Sequence, residues 1–135
     1  MTRLVIIESP YAGDVERNTA YARAAMEDCL RAGEAPFASH LLYTQPGVLD
    51  DTDLDDRVLG ILAGLAWGEC AAATVVYVDL GMSSGMRQGI EAARRVGRPV
   101  EHRSLGHPWV SDGYAKPEVI DALAGPHGRP LPKAA

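Results

Sequence analysis

Cysteine is nearly absent from this 135-residue chain: Cys29 and Cys70 are the only two, and they show no metal-type spacing. A disulfide framework and a cysteine-held metal are therefore not expected; both residues read as small buried hydrophobes in helical segments of a protein in a reducing compartment. A basic block is missing too. Lys and Arg number 13 against 18 Asp and Glu, a formal charge of -5, so nothing is concentrated enough to neutralise a phosphate backbone. That excludes polymeric nucleic acid and membrane surfaces as expected partners, while a small anion remains within reach of a few arginines and a helix N-terminus. The N-terminal apolar run, Leu4-Val5-Ile6-Ile7, is too short for a signal sequence or a membrane span, which points to a cytoplasmic protein. Also missing are a Gly-x-Gly-x-x-Gly fingerprint, a Walker lysine loop, a Gly-x-Ser-x-Gly elbow and a His-Glu-x-x-His helix. The common dinucleotide, NTPase, esterase and zinc-protease readings lose their support, and neither a metal nor a cofactor is expected.

What is present has the balance of one globular domain, 47% hydrophobic and 23% charged. The run Leu4-Val5-Ile6-Ile7 reads as a central strand covered on both faces. Ser9, Pro10 and Gly13 break it, and a helix follows, capped by Asp14 or Asn18, stopped by Gly33, with Ala22, Ala25, Met26, Cys29 and Leu30 as its sheet-facing stripe. Residues 37–43 read as a second strand. Five aspartates (Asp50, Asp51, Asp53, Asp55 and Asp56) crowd the start of the next helix. They favour a helix N-terminus and miss the calcium-loop spacing. Leu54, Val58, Ile61, Leu62 and Leu65 are that helix's predicted buried stripe, with Trp67 extending the apolar surface. A third strand over 74–78 is closed by Asp79, a helix over 84–96 turns Met86, Ile90 and Ala93 inward, and 99–105 forms a fourth strand. A short helix is expected after Pro117. The predicted domain spans 1–125, and 126–135 reads as a flexible tail.

Strands alternating with amphipathic helices specify an α/β protein with a parallel sheet and right-handed crossovers. With the first strand central, the expected order is 2-1-3-4, and the switch point between strands one and three places Glu8 and Asp79 side by side.

Polar residues end all four strands: Glu8, Ser39 with His40, Asp79 and Arg103. Strand packing needs none of them, so they mark one shared site. Glu8 either binds sugar hydroxyls or accepts N–H bonds from the loop it opens; Asp79 either holds a ribose hydroxyl or caps the following loop. The segment Gly81-Met82-Ser83-Ser84-Gly85-Met86-Arg87 joins glycines, hydroxyls, a helix N-terminus and a charge, a composition suited to a phosphate. The first loop, with Ser9 and Gly13, is suited to a sugar and a phosphate, and Tyr11, Arg17 and Asn18 form a second wall able to stack a base, pair with a phosphate and bind a hydroxyl. His40 is either a ligand or a hydrogen-bonded strand-end residue, and Arg103 either reaches the mouth or pairs with a surface acid.

With the segments Glu8-Ser-Pro-Tyr-Ala-Gly13, Pro36-Phe-Ala-Ser-His40 and Val76-Tyr-Val-Asp-Leu-Gly-Met-Ser-Ser-Gly-Met86 in view, the chain resembles the nucleoside 2-deoxyribosyltransferase-like proteins. More narrowly, it resembles a small branch found in phages and actinobacteria. The resemblance implies a flavodoxin-like three-layer sandwich, a homodimer or larger homo-oligomer, and a nucleoside or nucleotide site. It also implies cleavage of the N-glycosidic bond by a Glu in a Ser-Gly-x-x-x-Glu pattern. Counting from Ser84-Gly85 lands on Gly89. Glu91, two residues further, is rotated by about 200° and is expected to point away from the crevice. A glycine in mid-helix costs roughly 1 kcal/mol against Ala, which suggests that a ligand or another backbone approaches Gly89 closely. The candidate catalytic carboxylates are therefore Glu8, Asp79 and Glu91. The expected function is binding of a nucleoside or nucleotide, as a sensor or sponge of a signalling nucleotide; the alternative is an N-glycosidase or deoxyribosyltransferase.

Overall fold

Alternation along the first strand sets the layers. The computed structural model describes residues 2–106. In β1 (Arg3–Glu8), Val5 and Ile7 are each 1% exposed and join a core cluster with Tyr21, Ala24, Ala25 and Cys29 of α1 (Val15–Arg31). The intervening Leu4, Ile6 and Glu8 face the other side of the sheet, because successive side chains of a strand point to opposite faces. After α1 come β2 (Glu34–Phe37), α2 (Ser39–Leu42), α3 (Leu54–Gly68), β3 (Ala73–Tyr77), α4 (Ser84–Arg95) and β4 (Val100–Arg103). All strand pairs are parallel and the order is β2-β1-β3-β4, as expected for a flavodoxin-like α/β fold. The second face is covered by α4 through Met86 and Ile90, which pack on Val76. None of the helices among the described residues is long and apolar enough to cross a membrane.

Local chemistry explains most boundaries. Asp14 caps α1 by accepting from Arg17 N at 3.1 Å, and Gly33 follows its end at φ +82°, a conformation that favours glycine. Asp53 caps α3 through Asp56 N, and Ser83 caps α4 through Met86 N.

Four expectations fail here. The strand expected over 37–43 starts and ends earlier, at Glu34–Phe37, and Ser39–Leu42 winds into a helical turn closed by Leu42 N on Ala38 O and Tyr43 N on Ser39 O. Ala22, Ala25 and Cys29 of the expected α1 stripe are fully buried, but Leu30 lies 57% exposed, because the buried side of α1 is rotated to take in Asn18, Tyr21 and Asp28. The largest miss is α3. Leu54, Val58, Ile61, Leu62 and Leu65, expected inside, are all 42% to 74% exposed, and Gly68 is the helix's one buried residue. The helix leans on α2, where a Cβ at Gly64 would touch Ser39 at 2.8 Å, and it leaves the sheet beneath it open. Cys29 is buried as expected, whereas Cys70, just past α3, is exposed. The helix expected after Pro117, the tail 126–135, and Trp109 and Tyr114 lie outside the described residues.

Polar groups also sit inside this fold. Tyr77 donates to Asp28 Oδ2 at 2.6 Å and lies 3.4 Å from Cys29 Sγ; burial pushes the Cys29 thiol up to about 11, against the opposing effect of the Tyr77 contact. Arg103 grips Glu34 bidentately at 2.6 and 2.8 Å, and Arg3 adds a further bond to Glu34 at 2.8 Å. Arg103 therefore serves the framework and not the ligand site. Its guanidinium, ahead of Arg3, holds the Glu34 carboxyl down to about 2. A depressed folded-state pKa contributes stability that is present above the unfolded value of 4.5 and lost as pH falls through about 2. Arg103→Ala is expected to cost about 3 kcal/mol in urea unfolding at pH 7, because it takes the bidentate partner from a buried carboxylate and leaves it Arg3 alone. It should also shrink the acid-side loss of stability. An unchanged urea midpoint would remove the network from the account of this fold.

Candidate functional site

The uncovered side of the sheet forms a cavity of about 400 Å³ between α3 and α4, at the C-terminal ends of β1 and β2. Such a position and volume are typical of small-ligand sites in open α/β sheets. Its floor is Ile6 and Glu8, followed by Ser9 and Tyr11 of the first loop; Ser39 and His40 close one end. One wall is α3 at Arg57, Gly60, Ile61 and Gly64, and the other is α4 at Gly85, Gln88, Gly89 and Ala92.

Glu8 is the chemical centre of this space. Its carboxyl makes no hydrogen bond with any described residue, and loss of water pushes it up to about 8, with only the charge of Arg98 opposing. At neutral pH it is therefore mostly a neutral acid. The room for it comes from Gly89: a Cβ there would overlap Cδ and both oxygens of Glu8. The close approach expected at this glycine is real, but the approaching group is a side chain of β1 and not a ligand or backbone.

Beside it, Ser9 Oγ and His40 Nε2 are 2.7 Å apart, and the Tyr11 ring meets the imidazole edge-on at 6.4 Å between centroids. Burial lowers His40 to about 4, so it too is uncharged at neutral pH. Arg98 donates to Thr74 Oγ1 at 2.9 Å and Gly68 O at 2.7 Å, which fixes its charge near the floor. Arg57, on the α3 wall, has no side-chain ion pair or hydrogen bond among the described residues.

Of the residues singled out from sequence, the structure brings Glu8, Ser9, Tyr11, Ser39, His40, Ser83, Ser84, Gly85 and Met86 into the cavity lining. Asp79 is not among them. Strand alternation turns it to the α1 side, where its Oδ2 accepts from Tyr21 at 2.6 Å and Leu105 N at 3.0 Å, and Oδ1 accepts from Ser104. The expected side-by-side pair of carboxylates does not form. Asn18 donates to Tyr11 O and Ala12 O, and Arg17 donates to Asn18; they shape the first loop from outside the cavity. Gly13 and Gly81 supply turns at φ +100° and +85°. Arg87 is exposed and off the lining, because its place in the first turn of α4 faces solvent. Glu91 departs the other way. Expected to point away, it lines the rim, 3.4 Å from Arg95. Sequence reasoning missed Arg57, Arg95, Arg98 and the α3 wall; the one signal available was Gly60 and Gly64, four residues apart on one helix face.

The raised Glu8 value has a thermodynamic consequence. Between the unfolded value of 4.5 and about 8, the folded chain keeps a proton that the unfolded chain has lost. The contribution is therefore complete below pH 4.5 and is lost as pH rises through 8. Glu8→Gln is expected to match the parent's melting temperature near pH 4 and to exceed it by several degrees, about 5 °C, at pH 8. Parallel melting curves for both proteins across that range would contradict a buried, unpaired carboxyl.

No curated protein matches this sequence. Among solved structures, a 2-deoxyribosyltransferase from Bacillus psychrosaccharolyticus is similar in fold, at 16% identity and a TM-score of 0.50, over 80% of this chain and 77% of that one. The profile that spans the sheet, the cavity floor and both of its walls is one without an assigned activity: by its match over residues 3–103, the chain belongs to the family described as a domain of unknown function, DUF7768.

Proposed function

We propose that this protein binds a nucleoside or nucleotide in the cavity between α3 and α4, as a cytoplasmic sensor or sponge of the nucleoside 2-deoxyribosyltransferase-like kind. The observation that carries this reading is the uncharged polar floor, Glu8 with Ser9 and His40, set between the tyrosine ring of Tyr11 and an aliphatic wall. Flat heterocycles suit apolar and aromatic walls, and sugar hydroxyls suit neutral donors and acceptors. Arg57 offers a free cation to a phosphate at the α3 side. Binding is favoured over nucleophilic chemistry because a protonated Glu8 is not a nucleophile at pH 7, and Glu91 is exposed beside Arg95.

A second reading, an N-glycosidase or deoxyribosyltransferase, is favoured by the same desolvated carboxyl, since such groups cluster at catalytic sites. Once ionised, Glu8 would attack the anomeric carbon as the C–N bond breaks, and the base would leave with a proton taken from solvent. Water or a second base would then resolve the glycosyl ester.

Mass spectrometry of nucleotides co-purifying with the native protein, followed by calorimetry, tests both. A nucleoside or its 5′-monophosphate is expected to bind. Arg57→Ala should weaken the monophosphate about tenfold more than the nucleoside, while Arg87→Ala changes neither. Binding to neither ligand class sinks the proposal. Release of free base that rises through pH 8 and vanishes in Glu8→Gln would install the second reading.

The exposed face of α3 belongs to the same proposal. Leu59 and Leu62, each 58% exposed, and Leu54 at 74% form an apolar surface on α3 that the described residues leave uncovered. We read it as a two-fold homodimer contact, the commonest closed assembly. Light scattering is expected to give twice 14.4 kDa, and Leu62→Glu should return the mass to one chain without unfolding it. A concentration-independent monomer for the parent would refute this contact.

A further inference from the structure

Gly89 is in mid-α4 with an ordinary helical backbone, so no unusual dihedral calls for glycine there. Helix propensity disfavours it. What the residue provides is volume, and Glu8 fills that volume. The carboxyl has gained nothing visible in return: it lost water without acquiring a hydrogen-bond partner among the described residues, a costly state unless a partner arrives from outside. The surrounding groups do not supply one. Arg98 is committed to Thr74 and Gly68, His40 to Ser9, and Arg95 to Glu91, while Asp56 and Arg57 stand across the cavity on α3.

We propose that Gly89 is a positioning residue, kept free of a side chain so that the Glu8 carboxyl stands in the flank of α4 and recognises an uncharged polar group, a hydroxyl or ring nitrogen, of the ligand. This rests on the nucleoside reading above and adds the residue pair that selects the ligand. A single methyl group at residue 89 is enough to test it. The obstructing atoms are the far end of a flexible side chain, so Gly89→Ala leaves the backbone in place and makes the carboxyl swing out of its slot. The glycine then emerges as a sacrifice of stability for recognition.

The experiment measures calorimetric affinity for a panel of nucleosides, melting temperature, and titration of the Glu8 carboxyl by carbon-13 NMR, in the parent, Gly89→Ala, Glu8→Ala and the double variant. Gly89→Ala is expected to melt at the parent's temperature or above it, to bind at least about tenfold more weakly, and to titrate Glu8 closer to the ordinary glutamate range. In the Glu8→Ala background the same methyl group should change affinity little, because its effect acts through Glu8. Equal losses in both backgrounds, or a parent-like affinity in Gly89→Ala, would overturn the assignment. If no nucleoside binds the parent, the functional reading fails by itself, and the titration still decides positioning: a Glu8 value that falls in Gly89→Ala sustains it, and an unmoved value ends it.

Discussion

Period-two alternation in β1 is the constraint from which the rest of this structure follows. Val5 and Ile7 must face α1, where they are almost wholly buried. The same geometry then commits Glu8 to the opposite face, next to α4 and over Gly89. In β3, Val75 and Tyr77 join the α1 side and Val76 the α4 side. Asp79, two residues past Tyr77, continues on the α1 side and is taken up by Tyr21. One sheet thus carries two polar systems that do not meet.

Those systems differ in how completely they are satisfied. On the α1 side, Asp28, Tyr77, Glu34, Arg103, Asp79 and Tyr21 all hold charge-assisted or neutral hydrogen bonds between 2.6 and 2.8 Å. Satisfied networks rigidify a fold and offer a ligand nothing. On the α4 side, among the described residues, Glu8 has no hydrogen-bond partner and His40 has Ser9, and both are driven to their neutral forms. Leaving groups unsatisfied in a cavity costs stability and creates the capacity to bind.

Glycine makes the second system possible. Gly64 lets α3 rest against Ser39, which tilts the helix's attention from the sheet to α2. The sheet below α3 stays open as the cavity, and the aliphatic side of α3 stays in water. Gly89 on the facing helix completes the arrangement by admitting Glu8. A cavity between two helices and an unpartnered helix face are two results of the same loose seating of α3.

Local signals in the sequence were enough for the strand order, the parallel pairing, a cap at Asp14 as one of two candidates, the inward face of α4, and the gathering of Glu8, Ser9, Ser39 and His40 around one cavity. All of these depend on patterns within a dozen residues, which apolar periodicity and capping chemistry record directly. The misses share another cause. An amphipathic stripe says that a helix face is apolar, not what covers it, so Leu54 and Leu62 read as core while standing in solvent. A charged residue at a strand end does not announce which face it will turn to or which distant acid will claim it; Arg103 found Glu34, 69 positions away. Gly89 showed its cost in the sequence, but only the packing of β1 against α4 revealed that a glutamate 81 positions earlier occupies its empty place. The sequence by itself determined the layers, because those follow from local periodicity; tertiary structure alone decided the site, because it is made of side chains that meet through space.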